Sequence, residues 1–169
     1  MRQIIILVII IATGMELKAQ GCSDAGVCKL GSLKPDPNYT KVQHDNLLDA
    51  GISVGAADYG VTVFGGHIGY SRQFGEKWSV DTKATFLSQN GNEVSVIGLG
   101  DIFANVNYKS SQKLTLTGGV KVPLMKADRK EDGNPLPMDY QSSLGTFDLL
   151  AGIRYNPENW QWALAVQIP

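Results

Sequence analysis

The sequence predicts an all-β chain, an antiparallel up-and-down transmembrane β-barrel that is incomplete, with about seven strands present. Three observations predict it. Short segments that alternate apolar and polar residues run from about residue 51 to the C-terminus, and no stretch holds a 3.6-residue period. The connectors between them alternate between tight turns and longer polar loops. Tyr and Trp gather at the tight-turn end of the strands.

The strands are expected at 51–58, 61–72, 77–88, 95–108, 113–124, 146–155 and 159–168. Gln73 to Lys77, Lys109 to Gln112 and Asn156 to Asn159 read as tight turns. Ser88 to Glu93 and Met125 to Gly145 read as longer, irregular loops. In outer-membrane barrels the short side is periplasmic, so segment 125–145, with Lys126, Asp128, Arg129, Lys130, Glu131 and Asp132, becomes an extracellular loop.

Side chains alternate faces along a strand, so parity sorts each segment. Trp78, Val80, Ala84 and Phe86 oppose Asp81 and Lys83. Val96, Ile102, Ala104, Val106 and Tyr108 oppose Asp101, Asn105 and Asn107. Leu114, Leu116, Val120, Val122 and Leu124 oppose Lys113, Thr115, Thr117 and Lys121. Phe147, Leu149, Ala151, Ile153 and Tyr155 oppose Asp148 and Arg154, and Trp160, Trp162, Leu164, Val166 and Ile168 oppose Gln161 and Gln167. Period 2 alone is equally compatible with a soluble sandwich or barrel. The aromatics favour lipid: Tyr70, Trp78, Tyr108, Tyr155 and Trp160 lie on the apolar face beside the tight turns, as an interfacial girdle does. Strands of about ten residues tilted near 40° span roughly the 25 Å of a lipid-facing band. Gly65, Gly66, Gly69, Gly98, Gly100, Gly118, Gly119 and Gly152 fall inside strands and suit curvature and close packing.

Ahead of the strands, Met1 to Gln20 carries Arg2, then the apolar run Ile4 to Ala12, then a short polar stretch, the order of a secretory signal peptide. The apolar run is about half of the ~20 residues that a spanning helix needs, so cleavage near Ala19 or Gln20 is expected rather than anchoring. Residues 21–48 form a lead-in without periodicity, containing Pro35 and Pro37. Outside the cytosol, Cys22 and Cys28 read as a small disulfide loop, with lipidation of Cys22 as the alternative. Without Arg2, Lys18 and Glu16, 13 basic and 15 acidic side chains remain, a balance that offers nothing to nucleic acid.

The polar face offers Asp81, Lys83, Asp101, Asn105, Lys121, Asp148 and Arg154 as lumen-facing residues. With both signs present, they read either as mutually paired charges that fix strand register or as solute contacts. No catalytic set or metal site emerges from spacing. His44 lies in the lead-in, and His67 stands among glycines as a surface or lumen residue. Gly98-Leu99-Gly100 opens no helix and so is no nucleotide loop, and no cofactor is expected.

Gly98-Leu99-Gly100-Asp101-Ile102, Asn107-Tyr108 and the run Leu114-Thr115-Leu116-Thr117-Gly118-Gly119-Val120-Lys121-Val122-Pro123-Leu124 carry a likeness. The stretch resembles the outer-membrane transporter-like barrels grouped with the phenol meta-pathway proteins, distant relatives of the long-chain fatty acid channels. In that family a Gly-x-Gly-Asp strand, a short turn and a strand ending in a Lys-x-Pro-like step recur. The resemblance covers residues 95–169 and implies passage of small, often apolar molecules; it carries over no binding residue. The Cys22 to Cys28 segment is similar to leaders of related barrels from the Bacteroidota. Two departures stand out: an odd strand number, and an ending in Val166-Gln167-Ile168-Pro169 where the family has an aromatic-ended strand, which reads as the N-terminal portion of a longer barrel.

The functional expectation is an outer-membrane channel or transporter for small, including hydrophobic, molecules, with lipid and an unidentified solute as partners. The alternatives are a structural or adhesive barrel whose loop 125–145 binds a partner, and a secreted soluble β-protein that binds an apolar ligand.

Overall fold

The computed structural model describes residues 45–56, 60–91, 93–137, 140–157 and 160–169; the signal-peptide segment, Cys22, Cys28 and His44 lie outside the described residues. Seven strands form one antiparallel meander: β1 (Asn46–Ala56), β2 (Thr62–Phe74), β3 (Trp78–Gly91), β4 (Val94–Lys109), β5 (Leu114–Pro123), β8 (Asp148–Tyr155) and β9 (Trp162–Ile168). Between β5 and β8 a separate two-stranded hairpin, β6 (Lys130–Glu131) and β7 (Asn134–Pro135), interrupts what composition reads as an irregular loop. Its turn, Asp132-Gly133, has φ of 49° and 83°. Left-handed backbone at both central residues is what a type I′ hairpin turn needs, and Asp-Gly supplies it cheaply.

Three expectations need correction. The first strand starts at Asn46, not 51, so the last residues of the expected lead-in pair with β2, from Asn46 opposite Arg72 onward. Adjacent Leu47 and Leu48 break the alternation that parity reasoning looks for. Ser88 to Glu93 is no long loop: β3 and β4 stay paired as far as Gly91 opposite Val94. Ser88, Gln89 and Asn90 have turn-like chemistry, but the ladder supplied by Val94 to Ile97 overrides local preference.

The third correction concerns Val96, expected on the face of Ile102. The β3–β4 register shifts between Ala84 and Phe86, so that Gly100 and Asp101 together oppose Thr85. One extra residue flips every side chain beyond it. Val96 is accordingly 6% exposed on the inner face, while Ile97 and Leu99 stand outward, 72% and 57% exposed.

The sheet curls strongly. Phe103 of β4 packs with Leu150 of β8 and Ala165 of β9, three strands away. What lies inside is mostly polar: among the described residues eleven buried polar or charged residues stand against five buried apolar ones, so hydrophobic burial is not the organising rule of this interior. The outward faces instead carry the large apolar side chains, among them Ile52, Ile68, Val106, Leu116, Ile153 and Leu164, all exposed. The sheet is not closed: β1 and β9 lie at its two edges and, in a meander of seven, run in the same direction.

Candidate functional site

The inner face is built by register. Ser71, Asp81, Asn105, Gly119, Leu150 and Gln167 lie in one row across the sheet; Gly69, Lys83, Phe103, Lys121 and Asp148 lie in the next. All seven residues expected to face a lumen, Asp81, Lys83, Asp101, Asn105, Lys121, Asp148 and Arg154, share this face. Asp101, Asn105, Lys121 and Asp148 are buried, and Asp81, Lys83 and Arg154 partly so.

The charges form separate groups rather than one cluster. Lys121 Nζ lies 2.7 Å from Asp148 Oδ2, and both side chains are 1% exposed. Lys121 also donates to Thr146 Oγ1 at 3.0 Å, and Gln167 Nε2 donates to the same Asp148 oxygen. This pair ties the end of β5 to the start of β8, the two roots of the long loop. Asp81 is held by amides: Asn105 Nδ2 donates to its Oδ2 and Asn107 Nδ2 to its Oδ1, each at 2.6 Å. Asn107 Oδ1 in turn accepts from Thr117 Oγ1 at 2.8 Å, which fixes the orientation of that amide. Arg154 donates to Thr115 Oγ1 at 3.3 Å.

Parity reasoning missed the pair next to these. His67, read as isolated, has Nε2 3.0 Å from Asp49 Oδ2, and Lys83 Nζ reaches the same oxygen at 4.0 Å. The signal was faint but present in the glycines: Asp49 lies flat over Gly69, where a Cβ would come within 2.2 Å of its carboxylate, and His67 covers Gly51. Small residues opposite make room for polar side chains to reach across a strand.

The other residues missed belong to the long loop, part of which folds inward. Ser143 Oγ donates to Asp101 Oδ1 at 2.6 Å, and Tyr140 OH donates to the Gly91 carbonyl at 2.8 Å while its ring packs with Val61 and Val96. Gln141 accepts from Arg129 N and donates to the carbonyls of Arg129 and Leu136, bracing the hairpin. Arg129 Nη2 donates to the Ile97 carbonyl at 2.9 Å. Gly98 and Gly100 now acquire a role. A Cβ at Gly98 would sit 2.4 Å from Ser142 Oγ, and one at Gly100 would sit 2.4 Å from Thr85 Oγ1 and 3.1 Å from the Ser142 carbonyl oxygen. The Gly-Leu-Gly-Asp run is therefore the seat of the loop: two glycines admit its backbone, the bulge aims Asp101 inward, and Thr85 Oγ1 accepts from Asp101 N at 3.0 Å to hold the bulge.

Gly100→Val is expected to unseat residues 140–143. Overpacking costs about 1–3 kcal/mol, enough to raise the population of the displaced loop about tenfold. Limited trypsin digestion after Arg129 and Lys130 should accelerate by that factor; an unchanged cleavage rate would show that the seat does not hold the loop.

At the opposite end, Tyr70, Trp78, Tyr155 and Trp160 point outward and are exposed, and Tyr108 lies partly beneath Trp78 with ring centroids 4.6 Å apart. Phe74 and Trp162 extend this rim and were not anticipated, the first because it falls inside an expected turn. Tyr70 OH donates to Asn46 Oδ1 at 2.7 Å. Among the described residues no three His, Cys, Asp or Glu side chains gather to hold a metal ion. Compared with known proteins, the chain matches no family model, no curated protein and no solved structure.

Proposed function

We propose that this chain forms the wall of a β-barrel in a bacterial outer membrane, exported by a cleaved signal peptide, and that the barrel passes small solutes, including apolar ones, along its polar inner face. The inside-out distribution carries the reading. A sheet with Lys121, Asp148, Asn105 and Asp101 buried, and with Ile68, Ile153, Leu164 and Ile52 outward, is solvated sensibly by lipid outside and polar groups within. The aromatic rim at the tight turns supports the same orientation, with the turns periplasmic and the long loop extracellular. Apolar passage draws its support from the likeness of residues 95–169 to transporter-like barrels.

A second reading, a barrel that passes nothing, is favoured by one observation: the inner charges are paired and segment 140–143 lies over Asp101. Vesicle swelling separates the two. Proteoliposomes in an isosmotic solution of a small neutral solute are expected to swell faster than protein-free vesicles, and faster again with Asp101→Asn, which weakens the bond to Ser143. Insertion without swelling would remove transport and leave a structural wall.

A further inference from the structure

Across the outward faces of the seven strands, the described residues include a single charged side chain, Arg72. Register assigns its face: it stands opposite Asn46 on one side and Val80 on the other, in line with outward Tyr70 and Phe74 on its own strand. It is exposed, and among the described residues it forms no ion pair. Its guanidinium lies over the Phe74 ring, 5.1 Å from the centroid. Phe74 is the last residue of β2, so the side chain reaches along the strand toward the tight-turn end. Trp78, opposite Phe74 and tilted against the Tyr108 ring, closes the surroundings on that side.

A lone cation on an otherwise apolar wall is costly unless it reaches the polar margin, and long basic side chains do so by lying along apolar surface. Arg72 has that posture. A guanidinium presents N–H donors in a planar fork that matches phosphate oxygens, whereas the aromatic surroundings suit the upper acyl chain and glycerol region. We infer that Arg72 binds the headgroup phosphate of a net-anionic phospholipid in the leaflet at the tight-turn edge, with Phe74 and Trp78 against the lipid below the phosphate. The inference rests on the membrane reading proposed above and adds to it a lipid class and a residue.

The test uses the full chain with Trp160→Phe and Trp162→Phe, which leaves Trp78 as the sole tryptophan. Trp78 fluorescence is measured in vesicles of phosphatidylcholine or phosphatidylglycerol brominated near the headgroup. One basic side chain at a membrane surface corresponds to about a fivefold preference for anionic lipid. Quenching titrations should therefore give phosphatidylglycerol about a fivefold higher relative binding constant beside Trp78. Arg72→Gln and Arg72→Ala should bring the ratio to about one, and Arg72→Lys should retain part of it. An unchanged ratio in the Gln and Ala variants, or a ratio of about one in the parent, overturns the assignment while leaving the membrane reading in place. A folded protein quenched by neither lipid overturns both.

Discussion

Lys121→Met is expected to lower the unfolding free energy by about 3–5 kcal/mol, because it leaves the Asp148 carboxylate buried without its cation. The methionine retains most of the lysine stem, so the loss measures charge rather than volume. Lys121 and Asp148 are each 1% exposed and 2.7 Å apart, conditions under which water cannot take over from a missing partner. The double variant Lys121→Met/Asp148→Asn removes both charges, keeps an acceptor for Gln167 and should recover most of the loss. Urea titration in detergent micelles, followed by tryptophan fluorescence, reads all three proteins. A single variant within about 0.5 kcal/mol of the parent would mean that the inner face is well hydrated around Lys121. The same pair joins the roots of the inturned loop, so trypsin should also reach the loop faster in the single variant.

Ile68→Arg is the second large effect, and its sign depends on the solvent outside the sheet. Ile68 is 61% exposed at the middle of β2, between Ala50 and Ala84 in register. On the lipid face of a barrel near the bilayer midplane, arginine costs about 2–4 kcal/mol. On the water-exposed face of a soluble sheet, the same change would stay within about 0.5 kcal/mol and raise solubility. Reversible unfolding of the vesicle-inserted protein, with Ile68→Ala as the size control, is expected to show the larger loss. A neutral result would sink the membrane reading and favour a secreted β-protein with an apolar surface.

The two variants probe opposite faces of one amphipathic pattern, and that pattern is what a reader of the sequence sees first. Period-2 alternation in β3, β5, β8 and β9 was legible because each residue choice reports its own face: Trp78 and Val80 against Asp81, Leu116 against Thr117, Ile153 against Arg154. All seven residues assigned to the polar face by parity do share it, since parity is local and needs no knowledge of partners. Where a strand departs from strict alternation, parity no longer gives the face. Parity puts Val96 on the wrong face because a bulge at Gly100 and Asp101 shifts the count by one, and a bulge is a property of two strands together. Asn46 to Leu48 read as lead-in because two adjacent leucines hide the period, although β2 pairs with them without interruption.

The sequence by itself thus determined the all-β class, the meander of seven strands, the tight turns after β2 and β4 and the shared face of the seven polar residues, because these follow from alternation and turn chemistry within short windows. Only the tertiary structure decided which polar residues meet. Asp49 with His67, Asp81 with Asn105 and Asn107, Lys121 with Asp148, and Asp101 with Ser143 are separated by 18 to 42 residues and joined by register, bulge and the inward fold of the loop. The physical reason is that a strand specifies the face of each side chain but not its neighbour across the ladder. That neighbour is set by pairing along the whole strand, and here by glycines at 51, 69, 98, 100 and 119 that let polar groups and loop backbone approach where any larger residue would hold them off.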